Sequence, residues 1–317
     1  MAVSSPTLTG SVASTAIARL VNGVLAIAPL ANFAKRQARA MMIKRAATMG
    51  VYWQQESQNL RSRGEAIDFS PTWEADLAHF TQANLTYPDY YLTSFHAYEE
   101  GNLGWAPAME VEVAAKTVHA KIWPEAGAAG DAKLRQSYHN ILQAQLPQPP
   151  QRILDLGCST GLSTFALQAL YPEAHITGVD LSPYYLAVAN YRSQPHNKPI
   201  QWVHAAAEDT GLAARSFDLV SLCLVAHELP ATVTKAVLRE AHRLLRPGGY
   251  FAFMDMNPHS EFLAKLPPYV LTLLKSTEPY LDQYFGLDLA QAFVEAGFEP
   301  PTTQFNSPRH RTLIARR

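Results

Sequence analysis

After Pro147, Pro149 and Pro150 the hydrophobic pattern of the chain changes. From Gln151 onward, short apolar runs alternate with segments of helical spacing. Parallel strands cannot be joined by tight hairpins, so a strand–helix–strand order prescribes an α/β sheet with crossover helices. Strands are expected over 152–157, 175–180, 201–204, 217–223 and 250–255. Between them, Leu162, Phe165, Ala166, Ala169 and Leu170 form one helical face, and Val233, Val237, Ala241 and Leu244 another. The Pro-rich stretch marks the boundary between a mainly helical region, 51–150, and a ligand-binding domain, 151–317.

The first strand runs into Gly157-Cys-Ser-Thr-Gly161. Gly157 and Gly161 let the backbone turn tightly and approach a ligand. In such sheets ligands bind beyond the carboxyl ends of the strands, where the strand order reverses. Asp180 ends the second strand, and a carboxylate there can accept both hydroxyls of a ribose. A nicotinamide dinucleotide site needs GxGxxG, but position 159 is Ser. The spacing suits a ligand with a ribose and no pyrophosphate.

Ile153-Leu-Asp-Leu-Gly-Cys-Ser-Thr-Gly161 closely resembles the first motif of class I S-adenosylmethionine-dependent methyltransferases. Val179-Asp-Leu-Ser-Pro183 is similar to their ribose-binding motif. Ala207-Glu-Asp209 with Ser216-Phe-Asp-Leu-Val220 resembles the adenine-contacting turn and fourth strand, and Leu244-Leu-Arg-Pro-Gly-Gly249 the turn before the fifth. The resemblance implies a Rossmann-like, seven-stranded, mostly parallel sheet with helices on both faces and an antiparallel last strand near Arg311–Ala315. It also implies the cofactor S-adenosyl-L-methionine. Asp155, Gly157, Cys158, Ser159 and Gly161 would surround its methionine end, and Asp180 the ribose. Leu181, Ala207 and Glu208 would line the adenine, with Cys223 at the end of the fourth strand. Ser159 stands where the family usually has a glycine, and Ala206 where an acidic residue is common.

Methyl transfer is a displacement on an already activated donor, so the protein aligns the acceptor and handles a proton. His227, just past the fourth strand, is the candidate base, with Glu228 as alternative or orienting partner. An imidazole near its reference pKa of about 6.5 can take a proton at neutral pH. Capping the next helix is the plain alternative for His227. Tyr138 is either a residue closing over the methyl donor or a core tyrosine, and His204 reads as structural. No metal site is expected: there is no HExxH, and the two cysteines, Cys158 and Cys223, form neither a CxxC nor a disulfide framework.

Thr86 to Trp105 holds six aromatic residues, which reads equally as a packing plug or as a lid over an apolar acceptor. The apolar, aromatic stretch Phe262–Phe285 resembles the substrate cap of small-molecule methyltransferases and reads equally as a core helix. Residues 1–55 contain six Lys or Arg and no acid, against a net charge of -1 for the whole. This segment, 1–50, is expected to be helical, and three readings stay open: packing, docking on a membrane surface, or organelle targeting. Nothing in it is long and apolar enough to span a bilayer. The near-neutral charge and the Cys-Leu-Val-Ala-His-Glu-Leu-Pro sequence after the fourth strand speak against a nucleic-acid partner. The expectation is a small, apolar or aromatic acceptor, O- or C-methylated, in the cytoplasm or at the periphery of a membrane. A macromolecular acceptor and a non-catalytic, cofactor-binding regulator are the alternatives.

Overall fold

The computed structural model describes residues 39–96, 98–194 and 199–317. The helix expected before Pro29 and the cations Lys35 and Arg36 lie outside these residues. Seven strands form one sheet: β1 (Arg152–Leu156), β2 (His175–Asp180), β3 (Gln201–His204), β4 (Phe217–Cys223), β5 (Leu245–Met256), β6 (Thr302–Phe305) and β7 (His310–Arg316). Their order is β3-β2-β1-β4-β5-β7-β6. β1 to β5 are parallel, and β7 runs antiparallel to both neighbours. The fifth strand starts earlier than its apolar run suggested. Leu245 already pairs with Phe217, and the register then shifts before Leu219 pairs with Tyr250, which absorbs the Arg246-Pro-Gly-Gly249 stretch as an irregularity.

The helices are α1 (39–48), α2 (Trp53–Ser62), α3 (Thr72–Phe80), α4 (Trp105–His119), α5 (Gly130–Gln145), α6 (Leu162–Leu170), α7 (Pro183–Ser193), α8 (Ala231–Leu244), α9 (Glu261–Ala264), α10 (Pro268–Thr277), α11 (Leu281–Gly286) and α12 (Leu289–Glu295). Strand side chains alternate between faces, and this divides the core. Ile153, Leu219 and Ala252 pack with Leu134, Tyr138, Ile141 and Leu142 of α5. Their chain neighbours Leu154, Val220, Phe251 and Phe253 pack on the other side with Val237, Leu238, Ala241 and Leu244 of α8 and Phe293 of α12. The sheet is thus apolar on both faces, as parallel sheets require. Helix α5 therefore belongs to the sheet's own core: the Pro-rich stretch separates the two in the chain but not in packing.

A third cluster holds the helical region to the sheet. Trp73 of α3 and Ala108 and Met109 of α4 pack with Leu186 and Val188 of α7. Ala46 of α1, Val51 and Trp53 pack on Val113 of α4. Arg39 is ion-paired with Glu110 and lies near the Trp53 and Tyr98 rings. The described end of the basic segment is thus packed against the protein. No helix among the described residues is long and apolar enough to cross a membrane.

Beneath the sheet edge sits a buried ion triad. His119 Nδ1 lies 2.7 Å from Asp131 Oδ1, and Arg135 Nε donates to Asp131 Oδ2 at 3.0 Å. Arg135 also donates to Ser163 of α6 and reaches within 3.9 Å of Cys223 Sγ. Burial alone would favour a neutral carboxyl, but Arg135 and His119 hold Asp131 well below the usual carboxylate range. Its contribution to stability is complete above its unfolded pKa of about 3.9 and fades only as pH falls toward the depressed folded value. Asp131→Ala strands the Arg135 charge, and a loss of about 3 kcal/mol in urea unfolding is expected. An unchanged urea midpoint would contradict the triad's role.

Candidate active site

The carboxyl ends of β1, β2 and β4 meet where the strand order reverses, and the glycine loop lies there. Gly157 (φ 65°) and Gly161 (φ 87°) are left-handed. A Cβ on Gly157 would come within 2.7 Å of Val225 Cγ2, and one on Gly161 within 2.7 Å of Phe165 Cε2. Both positions therefore require glycine. Ser159 is left-handed too (φ 50°), where a side chain carries a steric cost.

Asp180 binds this loop to the next. Its Oδ2 accepts the Ser159 amide at 2.7 Å and its Oδ1 the Ser182 amide at 2.8 Å. Burial pushes its carboxyl up to about 6, although those amides work the other way. Each carboxylate oxygen keeps a second lone pair for a hydroxyl. Asp155 accepts from Thr164 Oγ1 at 2.7 Å, and burial pushes it up to about 7. Asp155 Oδ1, Ser159 Oγ, Thr160 Oγ1 and Glu208 Oε2 are buried without a protein partner. Buried polar atoms are rarely left unpaired, so such a group at one sheet edge calls for a polar ligand. A ligand with an ammonium group, sugar hydroxyls and an amino-substituted base fits these acceptors.

The aromatic segment lies over this edge. Tyr90 donates its hydroxyl to Glu208 Oε1 at 2.6 Å. Asn102, buried, accepts from Ser182 Oγ on its carbonyl at 2.7 Å and from Tyr185 on Oδ1 at 2.9 Å, and donates to Glu228 Oε2 at 3.2 Å. His204 accepts the Gln82 amide on Nδ1 (3.2 Å), so its Nε2 carries the proton and donates to the Leu181 carbonyl at 3.0 Å. His204 is structural in this arrangement.

Past β4, a short 3-10 turn over Ala226–Glu228 presents His227. Its Nδ1 lies 2.8 Å from Oδ1 of Asp255, a fully buried residue at the end of β5. His96 Nε2 lies 3.0 Å from Glu278 and 3.5 Å from Glu228. The expectation of an imidazole near its ordinary pKa fails here. Burial opposes the charge on His227, but Asp255, Glu278 and Glu228 outweigh it and lift the pKa to about 10. Burial likewise opposes the charge on His96, which Glu278 and Glu228 lift to about 9. Burial pushes Glu228 up. The carboxylates around His227 thus favour its protonated form.

Other residues named from the sequence fall elsewhere. Tyr138 is 1 % exposed, lies in the core between α5 and the sheet, and pairs with Ser221 Oγ at 3.0 Å. Its hydroxyl is satisfied there, which takes Tyr138 out of the catalytic reading. Cys223 is buried beside Arg135, in the Tyr138 cluster. Cys158 turns its thiol toward Gly178 and the α7 cluster, so only its backbone belongs to the loop. Leu181 is buried, and Ala207 packs against the main core. Sequence reasoning missed Asp255, His96, Glu278 and Asn102. Asp255 was the findable one, because it lies at the carboxyl end of β5 as Asp180 does at that of β2.

Residues 153–249 match the family model described as a methyltransferase domain. An uncharacterized methyltransferase of Synechocystis is 31% identical over 164 residues, which cover 51% of this chain and 74% of that relative. The chain belongs to the class I S-adenosylmethionine-dependent methyltransferases. A ubiquinone biosynthesis O-methyltransferase of Aromatoleum aromaticum is 30% identical over 154 residues, which cover 47% of this methyltransferase and 64% of the relative. Among solved structures, phosphoethanolamine N-methyltransferase 2 of Haemonchus contortus, with S-adenosyl-L-methionine, is 14% identical. It covers 69% of this methyltransferase and 61% of its own chain at a TM-score of 0.50, a likeness of fold. The cofactor of this methyltransferase is S-adenosyl-L-methionine, and the unpaired acceptors at the sheet edge suit its polar groups. Because Ser159 sits in a left-handed backbone, Ser159→Gly should raise stability by about 1 kcal/mol. Thermal melting of the cofactor-free protein measures this, and a lowered Tm would show that the Ser159 side chain holds the loop.

Proposed function

We propose that this methyltransferase moves a methyl group to an oxygen of a small, apolar or aromatic acceptor. The observation that carries the reading is the His227–Asp255 pair, which stands past β4 beneath an aromatic cover. Tyr90, Tyr91 and Phe95 come from the middle segment, and Tyr280 from the insertion after β5; Phe95 and Tyr280 pack together. Such a cover suits a flat or greasy molecule and excludes water. The O-methyltransferase similarity of the Aromatoleum relative supports the same acceptor class.

Bound S-adenosylmethionine supplies a methyl group on a sulfonium, ready for displacement. Asp155, Ser159 and Thr160 would hold its amino-acid end, Asp180 the ribose, and Leu181, Ala207 and Glu208 the adenine. Gly157 and Gly161 let the loop come close. Tyr90, already on Glu208, closes the adenine side. At the acceptor end Asp255 fixes the His227 ring through Nδ1, so Nε2 is the atom presented to the acceptor oxygen. Glu228, held by Asn102, stands beside it to handle the proton.

Calorimetry with S-adenosylmethionine should show at least tenfold weaker binding by Asp180→Ala, equivalent to about 1.4 kcal/mol. Equal binding by the variant would remove Asp180 from the cofactor site. The acceptor class is tested with radiolabelled methyl donor and fractionated cell extract. Label should enter the organic-extractable, low-molecular-mass fraction; label confined to precipitable protein or nucleic acid would overturn the small-molecule reading. In that assay His227→Gln should cut transfer by about 10²-fold while leaving cofactor binding intact.

A further inference from the structure

Three side chains from distant parts of the chain converge at the acceptor end. His96 comes from the aromatic segment, His227 from the turn after β4, and Glu278 from the residue that follows α10. One ligand atom from each lies within 4.8 Å of the other two. Among the described residues this is the one such group of three. We propose that His96, His227 and Glu278 form a binding site for a first-row divalent transition metal, with Glu228 at its edge.

The donor geometry carries the argument. A tetrahedral metal with bonds of about 2.0–2.1 Å sets its ligand atoms roughly 3.3 Å apart. His96 Nε2 stands 3.0 Å from Glu278 Oε1 and 3.5 Å from Glu228 Oε1, on either side of that spacing. His227 is already placed as a ligand. Its Nδ1 is engaged by the buried Asp255, which leaves Nε2 as the nitrogen for a ligand bond. Metal-bound histidines are held in this way by a carboxylate on the far nitrogen. Asp255 is itself fixed, because Oδ1 accepts the Met256 amide at 2.7 Å and Oδ2 the His227 amide at 3.2 Å.

A second, independent observation points to a ligand. Glu278 is only 6% exposed, yet its Oε2 is buried without any partner. A buried carboxylate oxygen left unpaired is costly, and a bound cation satisfies it. The backbone of His96 is left-handed (φ 50°), a strained conformation for a histidine, and its amide donates to the Thr277 carbonyl at 3.2 Å. That bond joins the two segments that bring His96 and Glu278 together. The His96 side chain remains about one third exposed, which leaves an entry path.

Two imidazoles with one or two carboxylates select Zn(II), Fe(II) or Co(II) over Mg(II), which prefers an all-oxygen shell. The metal would stand between His227 and the acceptor oxygen. It would draw electron density from that oxygen as a Lewis acid and pin the aromatic cover to the insertion. The inference deepens the proposed function, but metal binding itself needs neither acceptor nor methyl transfer, so the two can fail separately.

The test uses the full chain, stripped with chelator and titrated calorimetrically with ZnCl₂, with MgCl₂ as control. Wild type should bind one equivalent of Zn(II) and no Mg(II), and His96→Ala and Glu278→Gln should each bind Zn(II) at least tenfold more weakly. The Co(II)-loaded wild type should show visible d–d bands that His96→Ala shifts or abolishes; this readout stands even if Glu278→Gln does not fold. Absence of stoichiometric binding by wild type would overturn the proposal. So would binding that neither variant changes, which would place the ion on other surface histidines.

Discussion

The Asp180 carboxylate accepts an amide from the loop after β1 on one oxygen and an amide from the loop after β2 on the other. Two turns that must each adopt a tight conformation thus share one anchor. Ser182, fixed by that anchor, donates to the Asn102 carbonyl, and the Asn102 side chain reaches Glu228. A chain of hydrogen bonds thereby runs from the glycine-loop edge to the proposed acceptor edge. Asp180, Ser182 and Asn102 are buried, where each bond is electrostatically stronger than in water and each broken one more costly.

The second constraint is charge. Asp155, Asp180, Glu208, Glu228, Asp255 and Glu278 all lie along the carboxyl edge of the sheet or the segments that cover it. The protein answers this negative edge in three ways. Backbone amides meet Asp180, Arg135 stands beneath Asp155, and the two histidines face Glu228, Asp255 and Glu278. Oxygens of Asp155, Glu208 and Glu278 stay without a protein partner. The same accounting moves His227 away from an ordinary imidazole. Three carboxylates around one imidazole favour its charged form.

The aromatic segment resolves into particular jobs. Tyr90 meets Glu208, Tyr87 lies against His204, Asn102 holds Ser182 and Glu228, and Phe95 packs on Tyr280. Its residues therefore cover both the cofactor edge and the proposed acceptor edge. The sequence could not distinguish a plug from a lid, because aromatic density reports apolar area but not what that area touches. Helix α5 taught the opposite lesson. Its face of Leu134, Tyr138, Ile141 and Leu142 was legible from spacing, yet its placement in the sheet's core was hidden by the prolines that follow it.

What the sequence determined by itself was the part whose interactions are local. Each strand announces its own burial, and the glycine loop, Asp180 and the Ala207–Glu208 turn lie within short motifs whose backbone geometry dictates their residues. The cofactor family could be read for the same reason. Tertiary structure alone decided the proposed acceptor end. His96, His227, Asp255 and Glu278 sit on four separate segments, none with a spacing that signals a ligand set, and only the packing of the aromatic cover against the insertion brings them together. It also decided the chemistry of His227, since a pKa depends on the charges around a group in space, and these come from residues the chain order keeps far apart.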